Sequence, residues 1–419
     1  MHRGMTDATD RRLADQYEAY PYPPRDPREE AKRLVVGSPS HLREIDFWVF
    51  GATRPASRPL RALIAGGGTG DATIMLAQHL ASAGRPGIVT HLDRSEAALR
   101  IAQARAAVRG LEGIVWERRS LLDLPGDPPL GPFDYIDCCG VLHHLPDPEA
   151  GLRALLSVLA PGGGLGLMLY APYGRTGVYM LQSALRLLTP PEEPPAARLD
   201  IARRVMRHLP DSAWLRRNGY FRDHVDGGDA GLYDLLLNPR DLAFDVPALF
   251  ALLQRVGLRV TCLVEPLRYD PATYLPDPRL RARVAALDPM ARAALAEALT
   301  GSLSTHVVYC VRAADPPAIA DPMHDDAVPV AREMPGEAMA RAVRPDGSLG
   351  FQFDGLTVTL PVPALAPAIL RLIDGRRTVG QIAAELGRRG TTRAAFDQAW
   401  AAGFATFRDL NRVLLAPPP

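Results

Sequence analysis

Residues 60–77 read LRALIAGGGTGDATIMLA, and the rest of the chain is organised around them. The apolar run Ala62–Ala65 has the composition of a strand buried on both faces of a parallel sheet. Four glycines fall within Gly66–Gly70. The apolar periodic run Ala72–Leu80 then predicts a helix. A strand that turns through glycines into a helix gathers backbone N–H groups at a helix N-terminus. Only residues without a Cβ let a ligand lie against the backbone there. The stretch predicts a loop for a nucleotide-type cofactor, with a plain glycine-rich strand-to-helix turn as the alternative.

The dinucleotide fingerprint is G-x-G-x-x-G. Gly66 and Gly68 fit it, but Asp71 stands where the third glycine belongs, and the glycines are spaced G-x-G-x-G instead. Downstream, Val89–Leu92 reads as a second strand ending at Asp93, in the phrase HLDRSEAALRIAQARA. Ser120–Tyr170 follows as SLLDLPGDPPLGPFDYIDCCGVLHHLPDPEAGLRALLSVLAPGGGLGLMLY. These features together resemble the class I S-adenosylmethionine-dependent methyltransferases. The likeness is specific over Leu60–Tyr170 and looser at Leu258–Glu265 and His306–Arg312.

The resemblance implies an α/β fold with a Rossmann-like seven-stranded sheet, six strands parallel and the last antiparallel. It implies S-adenosyl-L-methionine as cofactor and methyl transfer as the reaction. By the same resemblance, Gly66, Gly67, Gly68 and Gly70 would lie against the methionine and ribose, and Asp93, with Arg94 next to it, would hold the ribose hydroxyls. Ser120 and Leu121 would flank the adenine, at a place where the family usually has an aspartate. Gly140 to His143 would line the methionine. The family usually has an acid two positions before the first glycine. Ile64 stands there, and Asp71 is the substitute this sequence offers, a helix N-cap being its other reading.

A chain of 419 residues can hold two or three domains. The formal charge of +1 counts against nucleic acid or an anionic membrane as a partner. Lys32 is the only lysine. Cys138, Cys139, Cys262 and Cys310 each fall in an apolar run, with neither zinc spacing nor a disulfide framework, so no metal site is expected. They read as reduced core residues of a cytoplasmic protein. The first residues lack an apolar leader, and no uncharged run reaches about 18 residues, so no membrane span is expected.

The chain divides into an N-terminal cap (1–55), a methyltransferase domain (56–315) with an insertion at about 174–245, a Pro- and Ala-rich linker (316–342), and a C-terminal domain (343–419). In the cap, Tyr17, Tyr20 and Tyr22 lie among prolines, which favours an extended segment. With Arg25 it reads either as a flap over cofactor or substrate, or as packing against the sheet. Arg28–Val36 and Leu42–Phe50 read as helices.

Four residues are candidates for chemistry. His143 leaves the sheet where ligands bind in open α/β folds, and histidine suits proton transfer near neutral pH. Its alternative is to shape the loop beside His144. Tyr170 and Tyr173, with Arg175, follow the turn Pro161–Gly164 and the fifth strand. His224 lies in the insertion with Tyr220, Asp226 and Asp229, as a substrate wall or as turn chemistry. The phrase N-P-P-Y, which in the family accompanies planar amino acceptors, is absent. The acceptor is expected to be a protein side chain or a small molecule, with a homodimer left open. A non-catalytic S-adenosylmethionine-binding regulator, an NAD-dependent oxidoreductase and a DNA-binding regulator that would use the C-terminal arginines are the alternative readings.

Beyond the linker, Phe351–Leu360 alternates like a hairpin around Asp354-Gly355, and helices are predicted at Ala364–Ile373, Val379–Leu386 and Ala394–Leu410. The phrase Leu372–Thr378, LIDGRRT, resembles the C-terminal winged-helix module of some bacterial protein lysine methyltransferases, which also begin with a Tyr-Pro-rich segment. That resemblance implies regulation or protein docking. A chain ending near Asp315 is expected to keep the whole sheet.

Overall fold

A computed structural model describes residues 2–126, 130–220 and 222–419. Its centre is a seven-stranded sheet. The strands are β1 (Leu60–Ala65), β2 (Gly87–Asp93), β3 (Ile114–Arg118), β4 (Phe133–Cys139), β5 (Leu159–Tyr170), β6 (Leu258–Leu263) and β7 (Thr305–Arg312). They lie in the order β3-β2-β1-β4-β5-β7-β6. β1 through β5 pair in parallel, and β7 runs antiparallel to both β5 and β6. This is the α/β sheet the sequence predicts. The strand order reverses between β2 and β4, on either side of β1, so the carboxyl ends of β1 and β4 open a crevice at the switch point.

Local sequence explains the flanking helices. Gly70 precedes helix Asp71–Ser82 in the left-handed conformation, at φ +100. Ser95 caps helix Glu96–Val108 by accepting from Ala98 N, and Asp147 caps Pro148–Ser157 with proline in the first turn. β1 is buried at every position except Arg61, as helices on both faces require.

The structure differs from the sequence reading in four places. Pro161–Gly164 lies within β5, and the β4–β5 register shifts between Phe133 and Tyr135. The N-terminal helix runs His2–Ala19, so the extended segment begins only at Tyr20. Residues 28–36 form only a short 3-10 turn, Pro27–Ala31. The span read as a linker contains strand Pro329–Ala331, paired antiparallel with Val413–Leu415, and helix Gly336–Ala342.

The C-terminal part is also less separate than its boundary suggests. Its core includes Phe47, Ala52 and Leu267 together with Ile369, Trp400 and Phe404. The fully buried Glu44 accepts from Ser38 Oγ at 2.7 Å, Tyr309 Oη at 2.7 Å and Asn411 Nδ2 at 2.6 Å, and it pairs with Arg332. Tyr309 belongs to β7, whereas Arg332 and Asn411 belong to the C-terminal part. A chain ending near Asp315 would strip two partners from a buried carboxylate and uncover Phe47, which argues against the expected autonomy of the sheet. Among the described residues no helix is long and apolar enough to cross a membrane, and no group of three or more His, Cys, Asp or Glu could hold a metal ion.

Candidate functional site

The glycine loop is clamped from two directions. Gly66 N and Gly67 N donate to Leu92 O at 2.8 and 3.1 Å, and Gly68 N donates to Asp93 Oδ2 at 2.8 Å. Asp93 Oδ1 accepts from Ser95 N at 2.8 Å. The ends of β1 and β2 are thereby tied through one carboxylate, whose pKa burial pushes up although the backbone N–H groups oppose the shift. Gly68 has φ +52, and a Cβ there would lie 2.7 Å from Tyr22 O; a Cβ on Gly66 would lie 2.4 Å from the Val141 side chain. The backbone has room here only because these residues are glycines.

The N-terminal segment closes over the loop. Thr69 Oγ1 donates to Pro23 O at 2.7 Å. Arg25 grips Asp71 with both ends of its guanidinium, at 2.5 to 3.1 Å. The buried Arg105 takes the other side of Asp71 at 2.7 Å and also bonds Thr69 O and Glu30. Burial opposes the Asp71 charge, but Arg25 and then Arg105 hold its carboxyl below the usual carboxylate range. Its carboxylate is therefore engaged by two arginines. Ser120 is a cap, its Oγ accepting from Leu122 N at 3.2 Å, and Leu121 is buried. The Arg94 side chain is exposed.

A second cluster lies at the carboxyl ends of β4 and β5. The ring of His143 is fully buried and stacks on Tyr170 with centroids 3.8 Å apart. Among the described residues neither ring nitrogen of His143 has a hydrogen-bond partner. Burial, with His144 and Arg175 nearby, pushes its pKa well below the ordinary value, so it is neutral. Arg175 lies 3.6 Å from the Tyr170 centroid, and two groups this close must occupy opposite faces of one ring. Arg175 is itself paired with the buried Asp241 at 2.6 Å.

Tyr170 Oη reaches Asp234 Oδ2 at 3.4 Å. The other oxygen of Asp234 accepts from Tyr17 Oη at 2.9 Å, Gln16 Nε2 at 3.3 Å and Asn238 Nδ2 at 3.3 Å. At the rim, Tyr22 Oη donates to Asp223 Oδ2 at 3.4 Å. Asp223 is exposed at this rim; partial desolvation, then the Asp234 charge, pushes its carboxyl up. Tyr17, Tyr22 and Tyr170 are all raised, first by burial and then by Asp234 or Asp223, so they remain protonated phenols. A cleft of about 650 Å³ beside this rim is walled by Tyr20, Pro21, Pro24 and Arg25 on one side and Asp226–Ala230 on the other.

Of the residues singled out from the sequence, His143 and Tyr170 meet here, joined by Tyr17 and Tyr22 of the cap. Tyr173 is 42% exposed. Asp226 pairs with Arg222 at 3.0 Å, and Asp229 with Arg203, both exposed. His224 is half-buried beside Asp223, and its Nδ1 has no partner among the described residues. Sequence reasoning missed Asp234. Its signal was there, because it is the only charged residue in the buried apolar run Gly231–Leu237, and a lone acid in such a run needs partners.

Residues 63–165 match a family model described as a methyltransferase domain. An uncharacterized protein of Synechococcus sp., syc1184_c, is 32% identical over 270 residues, covering 64% of this chain and 63% of that protein. A ubiquinone biosynthesis O-methyltransferase of Marinobacter nauticus is 33% identical over 139 residues, covering 33% of this chain and 53% of that enzyme. The chain thus spans less than two thirds of the length of these relatives. Among solved structures, PKMT2 from Rickettsia typhi superposes with a TM-score of 0.60 at 14% identity, covering 90% of this chain and 76% of that one. The same protein in complex with AdoHcy gives a TM-score of 0.58 at 15% identity. At these identities the likeness is one of fold.

Proposed function

We propose that this chain, which carries a class I methyltransferase domain, uses S-adenosyl-L-methionine to methylate an amine on a protein side chain or small molecule. The observation that carries the cofactor assignment is the loop fixed by Gly68 N–Asp93 Oδ2 under the Tyr22 carbonyl. Asp93 spends part of its acceptor capacity on Gly68 and Ser95. A carboxylate has about four lone-pair sites, so it retains capacity for ribose hydroxyls. Gly66 and Gly68 let the Val141 side chain and the Tyr22 carbonyl come close to the loop, which sets how tightly the N-terminal segment can pack on it. A structure of the same fold solved with AdoHcy supports the reading. Asp71 in place of the third glycine disfavours NAD.

The cofactor, when bound, supplies a sulfonium methyl as electrophile. The chain's own residues bind, orient and desolvate the nucleophile. Among the groups lining the second cluster, Asp234 and Asp223 carry negative charge, while Arg175 is offset by Asp241. The Tyr17 and Tyr22 rings add negative π faces, a setting that favours a cation over an anion. An ammonium must lose a proton before it can attack. The raised carboxyl of Asp223 is the group placed to take it, because the burial of His143 and the nearby Arg175 resist a charge on that ring. A cytoplasmic location belongs to the same proposal.

Calorimetry with S-adenosylhomocysteine and with NAD tests the cofactor assignment, the first binding and the second not. Incubating cell extract with S-adenosylmethionine labelled on its methyl group, then hydrolysing the product, tests the acceptor. Label recovered on nitrogen supports the amine, and label recovered only as methyl ester or ether removes it.

A further inference from the structure

Tyr220 is where the C-terminal part meets the wall of the second cluster. Ser348–Phe353 and Leu356–Pro361 form an antiparallel hairpin that turns at Asp354-Gly355. Gly355 has φ +83, and a Cβ there would fall 2.2 Å from the Tyr220 ring. The tip is pinned by Asp354, which accepts from Arg268 Nη2 at 2.8 Å. Tyr220 N donates to Asn218 Oδ1 at 3.2 Å, and Asn218 Nδ2 donates to Gly174 O at 2.8 Å and Thr176 O at 3.2 Å. Arg175, which lies against Tyr170, sits between those two carbonyls. Three residues beyond Tyr220 comes Asp223, the partner of Tyr22. The ring therefore touches the hairpin tip on a segment whose backbone is tied through Asn218 to the 174–176 turn and which carries Asp223 three residues on.

The surrounding segment has little core of its own. It consists of the one-turn helices Trp214–Arg217 and Asp223–Asp226, and Trp214, Tyr220 and Val225 are more than half exposed. Segments with few buried contacts open locally at low cost, so an added contact decides their position. We propose that Tyr220 is a positioning residue through which the C-terminal hairpin sets the wall of the acceptor site, while the cofactor loop is left unaffected. This rests on reading Tyr170, Asp223 and Asp234 as the acceptor pocket.

The test compares full-length Tyr220→Ala and Gly355→Val with wild type, and with Tyr220→Phe, which keeps the ring. Three quantities are read: S-adenosylhomocysteine affinity, the cell-extract concentration that half-saturates methyl transfer, and hydrogen exchange over 171–177. Tyr220→Ala and Gly355→Val should raise the half-saturating concentration about tenfold, the size of a coupling of 1–2 kcal/mol. Both should speed exchange over 171–177 and leave S-adenosylhomocysteine affinity unchanged, and Tyr220→Phe should behave as wild type. Unchanged half-saturation and exchange in both variants would overturn the proposal, as would an equal loss of cofactor affinity. Failure of wild type itself to bind S-adenosylhomocysteine would instead remove the functional reading on which the proposal rests.

Discussion

Arg332 pairs with Glu44 in a buried ion pair that joins the C-terminal part to the underside of the sheet. Arg332 is 7% exposed and Glu44 is fully buried. Arg332 also donates to Gly37 O at 3.1 Å and Ser38 Oγ at 3.1 Å. Removing one member of such a pair leaves the other charge buried without its partner, at a cost of about 3–5 kcal/mol. Arg332→Ala should therefore lower the unfolding free energy obtained from urea denaturation by that amount. Arg332→Met combined with Glu44→Leu should lose less than the sum of the single changes, because neither leaves an orphan charge. Strict additivity in this double-mutant cycle would show that the pair does not couple the two parts.

Asp93 ties β2 to the glycine loop through two backbone N–H groups. Hydrogen bonds to a charged group contribute about 1.5–3 kcal/mol each. Asp93→Ala should weaken S-adenosylhomocysteine binding about tenfold to a hundredfold, measured by calorimetry on protein of unchanged circular dichroism. An unaltered affinity would place the ribose elsewhere.

The sheet was legible because β1, β2, β4, β6 and β7 are short, largely apolar runs, and β4 and β7 fall on the residues the pattern marks, Phe133–Cys139 and Thr305–Arg312. The cofactor side was legible for a related reason, since glycine spacing and a strand-end acid are local features. The acceptor side is assembled from long-range pairs such as Tyr17 with Asp234 and Tyr22 with Asp223, more than two hundred residues apart, and no local periodicity encodes them. The engagement of Asp71 by Arg25 and Arg105 was hidden for the same reason. Each arginine sits on a separate element, 46 and 34 residues from the aspartate.

The Arg25–Asp71 pair latches the N-terminal segment onto the cofactor loop. Its side chains are 31% and 27% exposed, so solvent screens the pair and its contribution is about 1 kcal/mol. Arg25→Ala should leave global stability within that margin and speed hydrogen exchange over residues 20–26. Because the Tyr22 carbonyl lies over Gly68, S-adenosylhomocysteine should dissociate several-fold faster. Unchanged exchange over 20–26 would show that Pro23 and Tyr22 alone hold the segment.

Asp137 gives a pH signature. It lies at the end of β4 with 1% exposure, accepting from Ser40 Oγ at 2.7 Å and Cys139 N at 3.1 Å. Burial pushes its carboxyl up to about 6, against the two hydrogen bonds. In the unfolded chain an aspartate titrates near 3.9. The folded state therefore holds the proton over a range where the unfolded state has released it. That favours folding below about pH 4, and the advantage is lost as pH rises through about 6. Above that pH the protein carries a buried carboxylate with no cationic partner in contact among the described residues, at a cost of about 2–3 kcal/mol. Asp137→Asn keeps an acceptor for Cys139 N and a donor for Ser40 Oγ, but carries no charge. It should raise the urea midpoint at pH 8 and leave it nearly unchanged at pH 4. The comparison needs both variants at both pH values, since a loss of stability at both would mean that the carboxylate geometry outweighs its desolvation.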